Sequence, residues 1–303
     1  MSYLSRNNGT PIAIYRTTHG LRQIIKLDNQ VDNTNNITAL SDYVNQKELE
    51  QMTKHLSSRE LIMLERHIIQ GNRPLDPRLV DLYDRLKNII DNKVNKEIVS
   101  NEGEYNIYPK RDDILYLIGA TGSGKSTSIR KYLLEYMKLY PEVKKIFLFT
   151  DIETPDKVFE GLPITKIKLD AQIYQNPIKP EELKNSVVIF DDVDSIQDKK
   201  IKNAIVELKG SCMKQGVSKE GITCIVTNHD ACEGASTKHA ITNARYIFIY
   251  PNGGTVGLEY LLKKKIGFSK EEYKKIASLR SRVVIIHKRA PFYVVHSNGV
   301  FLL

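Results

Sequence analysis

The sequence predicts an α/β chain built on a mostly parallel sheet, preceded by a small, mainly helical N-terminal region. Three observations predict it. Beyond residue 111, short apolar runs rich in β-branched residues alternate with helical patterns, as strands covered on both faces of a parallel sheet require. One of these runs opens into GATGSGKS, a glycine-rich turn with a helical pattern behind it. Another, SVVIFDDVDS, ends in acids. The expected division is residues 1–110 as a hairpin plus a helical region, and 111–303 as the α/β domain. A chain of 303 residues with 41% hydrophobic and 27% charged residues has enough apolar material for one substantial core.

In order along the chain, Pro11–Leu27 reads as two short strands around a turn at His19–Gly20. Asp28–Thr38, rich in Asn and Asp, reads as a loop. Helical patterns follow. In one, Leu61, Leu64, Ile68 and Ile69 share a face, and Ser57 with Glu60 forms a capping box in which each side chain satisfies an exposed N–H. The next opens at Asp76-Pro77, where proline's missing N–H costs nothing. Its apolar stripe, Leu79, Leu82, Leu86, Ile89 and Ile90, runs toward Ile98.

In the α/β part, Ile114–Ile118, Lys145–Thr150, Ser186–Asp191, Thr223–Thr227 and Arg245–Tyr250 are the expected strands. Helices are expected over 124–139, about 197–215 and, as a pair, about 255–279, with Ser269 and Glu272 as a second capping box. VVIIHK and FYVVH form a terminal strand pair.

Composition narrows the setting. No apolar run approaches the roughly 20 residues that span a bilayer, and MSYLSRNNGTP lacks the apolar stretch of a secretory signal. The expectation is a protein that is not secreted and has no membrane span. Three cysteines, Cys212, Cys224 and Cys232, fit a reducing compartment. Together with His229 they suggest a zinc site, but the spacing lacks paired CxxC and Cys224 lies in an apolar run that reads as a buried strand. The formal charge of +9 suits a polyanionic partner and equally a solvated, lysine-rich surface.

GATGSGKS, Gly119-Ala120-Thr121-Gly122-Ser123-Gly124-Lys125-Ser126, meets the phosphate-loop pattern GxxxxGK[ST] in full, between a strand and a helix. Glycines let the backbone curl its N–H groups onto a β-phosphate, and the helix behind adds its positive end. Lys125 brings charge to the β and γ oxygens, the Ser126 hydroxyl ligates Mg²⁺, and Thr127 completes the binding segment. Asp191 ends its strand at the sheet's carboxyl edge, where it holds the Mg²⁺ shell through water. Asp192 is the candidate to orient or deprotonate the attacking water, its alternative being a helix N-cap. Mg-ATP is the expected ligand. Adenine is preferred by default, since Asn228-His229-Asp230 is not a guanine-reading NKxD.

KIFLFT lies in sequence between the phosphate-loop strand and the acidic strand. That is the order expected when an additional strand separates the two in the sheet, as in RecA-like P-loop NTPases. TCIVTNHD then supplies the intervening strand. Asn228 at its end can reach the γ-phosphate or the attacking water, with Thr227 and His229 as alternatives.

Taken together, GATGSGKS, KKIFLFT, VVIFDDV and the polar-ended TCIVTNHD resemble the poxvirus-type DNA-packaging ATPases of nucleocytoplasmic large DNA viruses, in the FtsK–HerA branch. The resemblance covers about 112–230, continues loosely to SRVVIIHKRAPFYVV, and leaves 1–110 outside. It implies an ATP-driven motor that moves double-stranded DNA into capsids and works as a homo-oligomeric ring. It also implies capsid or portal-vertex partners and a place in the viral factory of the host cytoplasm and in the virion. In that family Lys125 and Ser126 would carry phosphate and Mg²⁺, Asp191 the metal and Asp192 the catalytic acid. Asn228 stands where the family tends to place a polar sensor, often Gln. Arg245, Arg280 and Arg282 are candidates for an arginine offered to a neighbouring subunit, and Lys238 stands where an arginine is expected. Lys263-Lys264-Lys265, Lys274-Lys275 and Lys199-Lys200 can contact DNA phosphates or form solvated helix faces. A P-loop phosphotransferase and a nucleotide-dependent switch are the alternative functions, since the phosphate cradle serves many chemistries.

Overall fold

The computed structural model describes residues 3–7, 9–28, 40, 44, 46–70, 73–100, 103–152, 156–232, 234–251 and 257–303. The loop expected over Asp28–Thr38 lies almost wholly outside them, as does the side chain of Ile69.

The chain opens with strands β1 (Tyr3–Ser5), β2 (Thr10–Thr17) and β3 (Arg22–Asp28). β2 and β3 form the expected antiparallel hairpin, closed at Gly20 with φ +83°. Three helices follow: α1 (Gln46–Thr53), α2 (Ser58–Gln70) and α3 (Pro77–Lys96). The capping box is present: Ser57 N–H donates to Glu60 Oε2 at 2.9 Å, and Glu60 N–H returns to Ser57 Oγ at 3.3 Å. Leu64 and Ile68 of α2 pack with Tyr83, Leu86 and Ile90 of α3 in a small core of their own. Ile98, read as the end of the α3 stripe, instead sits in β4 (Glu97–Val99), because the helix stops at Lys96.

β5 (Gly103–Ile107) pairs with β2, giving a four-stranded sheet ordered β1-β3-β2-β5. The α/β part then runs β6 (Ile114–Ile118), α4 (Lys125–Leu139), β7 (Lys145–Thr150), β8 (Ile164–Ile167) and the short α5 (Gln172–Gln175). Next come β9 (Ser186–Asp191), α6 (Lys199–Ser211), β10 (Thr223–Asn228), α7 (Gly234–Asn243), β11 (Tyr246–Ile249) and α8 (Leu258–Tyr260). The chain closes with α9 (Lys270–Ala277), β12 (Val284–His287), β13 (Tyr293–His296) and β14 (Gly299–Leu302). Both α6 and α8 continue as π-helical turns, over Cys212–Glu220 and Leu261–Ile266. The first carries the helix past the expected end near 215 to Gly221, whose left-handed backbone stops it.

The ten-stranded sheet is ordered β4-β14-β13-β12-β11-β6-β10-β9-β7-β8. From β11 to β8 every pairing is parallel, and the β12–β14 meander with β4 extends it antiparallel. β10 lies between β6 and β9, the additional-strand order that the sequence leads one to expect.

Strand alternation distributes β6 between two cores: Ile114, Tyr116 and Ile118 face one, Leu115 and Leu117 the other. The first core is closed by α6 and α7. The second is closed by α4 and by the small sheet, since Leu4, Ile12, Tyr15 and Tyr105 share it with Ile129, Tyr132 and Tyr136. Arg16 and Arg22 of the small sheet pair with the buried Glu135 of α4. The small sheet before residue 111 therefore shares a core with the helix that follows the phosphate loop.

Candidate functional site

The loop after β6 is shaped by what surrounds it. Gly119 N–H donates to the Asn228 carbonyl at 3.1 Å, tying the loop's start to β10. A Cβ on Gly119 would meet Ser123 Oγ at 2.7 Å and the Tyr250 ring at 2.8 Å, so only glycine fits. Gly122 and Gly124 have φ of +77° and +110°, positive values that glycine adopts without strain and that curl the loop. α4 begins directly behind, adding its positive end.

A cleft of about 390 Å³ lies against this loop. Ala120, Thr121, Gly122, Gly124, Lys125, Ser126 and Thr127 line it, as do Asp191 and Asp192, while Gly119 and Ser123 stand behind the wall. Lys125 is largely buried, and its Nζ donates to the Gly119 carbonyl at 2.7 Å. The same Nζ lies 3.6 Å from Asp192 Oδ2 and 3.4 Å from His229 Nδ1.

Parallel register carries the acids here. Asp191 is paired with Thr227 on one side and Thr150 on the other. Thr227 Oγ1 donates to Asp191 Oδ1 at 2.7 Å and accepts the Asp192 N–H at 3.0 Å. Burial raises the Asp191 pKa above the usual carboxylate range; the Thr227 hydrogen bond opposes this and the Asp192 charge reinforces it. Asp192 has φ +48°, a left-handed conformation that Asp tolerates better than most residues. Its Oδ2 lies 3.1 Å from His229 Nε2.

Asn228 does not line the cleft. As the last residue of β10, paired with Ile118, it points to the opposite face from Thr227. Only 2% exposed, its amide donates to Asp194 Oδ2 at 2.8 Å. Lys209 of α6 holds the same carboxylate at 2.9 and 3.0 Å. His229, the residue after the strand, lines the cleft instead.

Three further charged residues line the cleft, and sequence reasoning did not place them there. Lys166 comes from β8 and donates to the Ile152 carbonyl. Asp156 accepts the Val158 N–H at 2.9 Å. Arg282, considered for a neighbouring subunit, lies in its own chain's cleft with Nε 3.3 Å from the Ser123 carbonyl. Arg245 is at the other edge of the sheet, paired with Asp113, whereas Arg280 and Lys238 are exposed.

The lysine runs divide. Lys263 pairs with Glu259 at 2.6 Å and stands over Tyr273, Lys265 over Tyr260, Lys200 over Tyr174, and Lys275 over Phe301. Lys199, Lys264 and Lys274 are exposed. Cys212 and Cys224 are buried, and no group of three zinc-type ligands occurs among the described residues. No described helix is long and apolar enough to cross a membrane.

No protein-family model matches the chain. A protein of the Sputnik virophage, Uncharacterized protein V3, is 28% identical over 211 residues, 68% of this chain and 84% of that protein. The genome packaging NTPase B204 from Sulfolobus turreted icosahedral virus 2, in complex with ATP-gammaS, is similar at a TM-score of 0.37. Its identity is 15%, over 61% of this chain and 96% of B204. The cytoplasmic domain of the Thermomonospora curvata type VII secretion ATPase EccC is similar at a TM-score of 0.43 and 14% identity, over 67% of this chain and 28% of that one.

Proposed function

We propose that the chain is an ATP-hydrolysing motor that translocates double-stranded DNA and packages a viral genome. The observation that carries the hydrolysis reading is the convergence of Lys125, Asp192 and His229, within 3.1–3.6 Å of one another, in the cleft that Asp191 and the glycine-rich loop line. The loop holds the β-phosphate. Lys125 exchanges the Gly119 carbonyl for β and γ oxygens. Asp192 orients the attacking water and takes its proton, with His229 positioning the carboxylate and sensing the γ-phosphate from one residue beyond Asn228.

Mg²⁺ suits this site. Asp191 is a half-buried carboxylate with a second carboxylate next to it, so a cation relieves both its desolvation and that repulsion. Ser126 would ligate the ion and Asp191 would hold it through water. The ion supplies charge neutralisation on the phosphate oxygens.

Several features support translocation: the motif series, the additional-strand sheet, the net charge of +9, and the exposed Lys199, Lys264 and Lys274, which suit phosphate contacts. The virophage relative supports a viral origin. Subunits form a ring, and Arg280 reaches a neighbour's cleft, since Arg245 is held by Asp113 and Arg282 serves its own chain. Residues 111–303 carry the phosphate chemistry and 1–110 brace it; capsid or portal-vertex proteins are the partners, in the host-cell viral factory.

The test is steady-state ATP hydrolysis with and without long duplex DNA, beside Lys125→Ala. DNA is expected to raise the rate several-fold, added salt to remove that effect, and Lys125→Ala to abolish turnover. Hydrolysis indifferent to DNA at low salt would remove translocation and leave an ATPase.

A further inference from the structure

Asp192 is held in an unfavourable backbone conformation. Its φ of +48° lies in the left-handed region, which a residue with a Cβ keeps only where its surroundings dictate it. On the N-terminal side those surroundings are plain: β9 fixes Asp191, and Thr227 Oγ1 accepts the Asp192 N–H at 3.0 Å. On the C-terminal side the chain turns at once through Val193–Ser195, and the Ser195 N–H donates to the Asp192 carbonyl at 3.1 Å. Val193 and Ile196 are buried in the core beneath, which sets the depth of the turn. Apolar burial has no direction, so it does not set the turn's orientation.

Direction comes from Asp194, in the middle of the turn and two residues from Asp192. Asn228, at the end of β10, donates to its Oδ2 at 2.8 Å, and Lys209 of α6 donates to both its oxygens at 2.9 and 3.0 Å. Lys202, seven residues before Lys209 and on the same face of α6, donates to the Asp194 carbonyl. The side chains of Lys209 and Asp194 are only 1% and 6% exposed. An ion pair buried that deeply adds little or nothing to stability over apolar residues of the same volume. Asn228 Oδ1 is buried with no hydrogen-bond partner among the described residues, an uncompensated cost that leaves the amide useful for its donor alone.

We propose that Asp194 is the positioning residue for Asp192, and that Asn228 and Lys209 act on hydrolysis through it. The inference rests on the hydrolysis reading of the cleft and adds to it what aims the carboxylate. Asp194 and Asp192 share one tight turn, so rotating the turn swings Asp192 Oδ2 away from Lys125 and His229, now at 3.6 and 3.1 Å. Removing the polar hold leaves the apolar seat and the phosphate loop in place. Nucleotide binding and turnover therefore separate: the first stays and the second falls. Asn228 serves the reaction from the far face of β10, without touching phosphate.

The experiment measures kcat for ATP and the Kd of Mg-ATPγS on the full chain, with melting on the same preparations. Asp194→Ala with Lys209→Met removes the hold and both buried charges together, so neither is left unpaired. Its kcat is expected to fall about 10–100-fold, with the Kd within about threefold and the melting temperature within a few degrees. On an Asp192→Asn background the same pair should cost less than about threefold, because no carboxylate is left to aim. Asn228→Ala keeps the ion pair and should lower kcat about 3–10-fold, the range of one hydrogen bond; it carries the test if the double variant does not fold. An unchanged kcat in either folded variant, a Kd that rises as far as kcat falls, or the full loss recurring on the Asp192→Asn background overturns the positioning role and leaves an ATPase. A wild type that does not hydrolyse ATP overturns the cleft reading with it.

Discussion

At the carboxyl edge of the parallel sheet, Asp192 stands against Lys125 and His229; at the amino edge, Asp113 stands against Arg245 and Lys110. Both are carboxylates among cations, yet their surroundings differ. Asp113 is fully buried and takes the Lys110 N–H at 3.1 Å and the Arg245 guanidinium. Asp192 shares its oxygens with side chains that themselves line an open cleft. A carboxylate with no exposure of its own, as Asp113 is, can only hold strands β6 and β11 together. A pair at an opening can exchange partners when phosphate arrives. Exposure of the carboxylate itself, 15% at Asp192 and none at Asp113, separates the working residue from the structural one.

The comparison breaks most readily at the carboxyl edge. Asp192→Asn keeps the shape and removes the proton acceptor. Turnover should fall about 10²–10⁴-fold while the apparent melting temperature stays within a degree or two. Steady-state hydrolysis and melting on the same preparation check this. A melting loss as large as the activity loss would make Asp192 a structural residue like Asp113.

The converse substitution is Arg245→Met at the amino edge. Removing one partner of a buried pair leaves an uncompensated charge, at a cost of about 3–5 kcal/mol. Melting should drop by several degrees, with hydrolysis per folded molecule unchanged. Replacing Asp113 as well, by Asn, should recover part of the loss, because no lone carboxylate then remains buried. Loss of turnover in molecules that remain folded would mean that the two edges are coupled through β6.

The sequence was legible where burial is extensive. β6, β7, β9 and β10 are unbroken apolar runs and are found within a residue of their expected ends. The boxes at Ser57–Glu60 and Ser269–Glu272 also stand as expected. What escaped was half-exposed or very short. β8, ITKI, buries neither Thr165 nor Lys166 and leaves no apolar signature, so Lys166 could not be placed at the cleft. β5, GEYNI, carries only two buried side chains, Tyr105 and Ile107, too few to mark it as a strand. β14 is four residues at the very end of the chain, and β4 was absorbed into a helical stripe.

At the site, the gap between Asn228 and His229 is one of parity. Ending the strand at Thr227 makes Asn228 the first polar residue of a loop, free to turn toward phosphate. In the structure the strand keeps Asn228, and strict alternation sends it to Asp194. Composition carries no sign of that single residue, since either ending leaves the same apolar run. The acids Asp191 and Asp192 were readable because a run of buried residues ends on them, whatever the register.

The smallest expected effect sharpens the amino edge through pH. His287, at the end of β12, is stacked on Tyr293 at 4.4 Å and faces Lys110 and Arg245; burial lowers it from 6.5 to about 4. Asp113, nearby, is pushed by burial from 3.8 up to about 7 in spite of Arg245. The two shifts oppose each other. A histidine depressed in the folded state is protonated first in the unfolded chain, so its contribution, intact above 6.5, is lost as pH falls toward 4. A carboxyl raised in the folded state takes its proton there first, so its contribution is absent above 7 and grows as pH falls toward 3.8. In the wild type they largely cancel between pH 7 and 5. His287→Gln removes only the first. The melting temperature at pH 5 relative to pH 7.5 should therefore become more favourable in the variant than in the wild type, by a few degrees, with the other titrating groups common to both. An identical pH profile in the two proteins would mean that His287 titrates normally and that this edge is more open to water than its packing indicates.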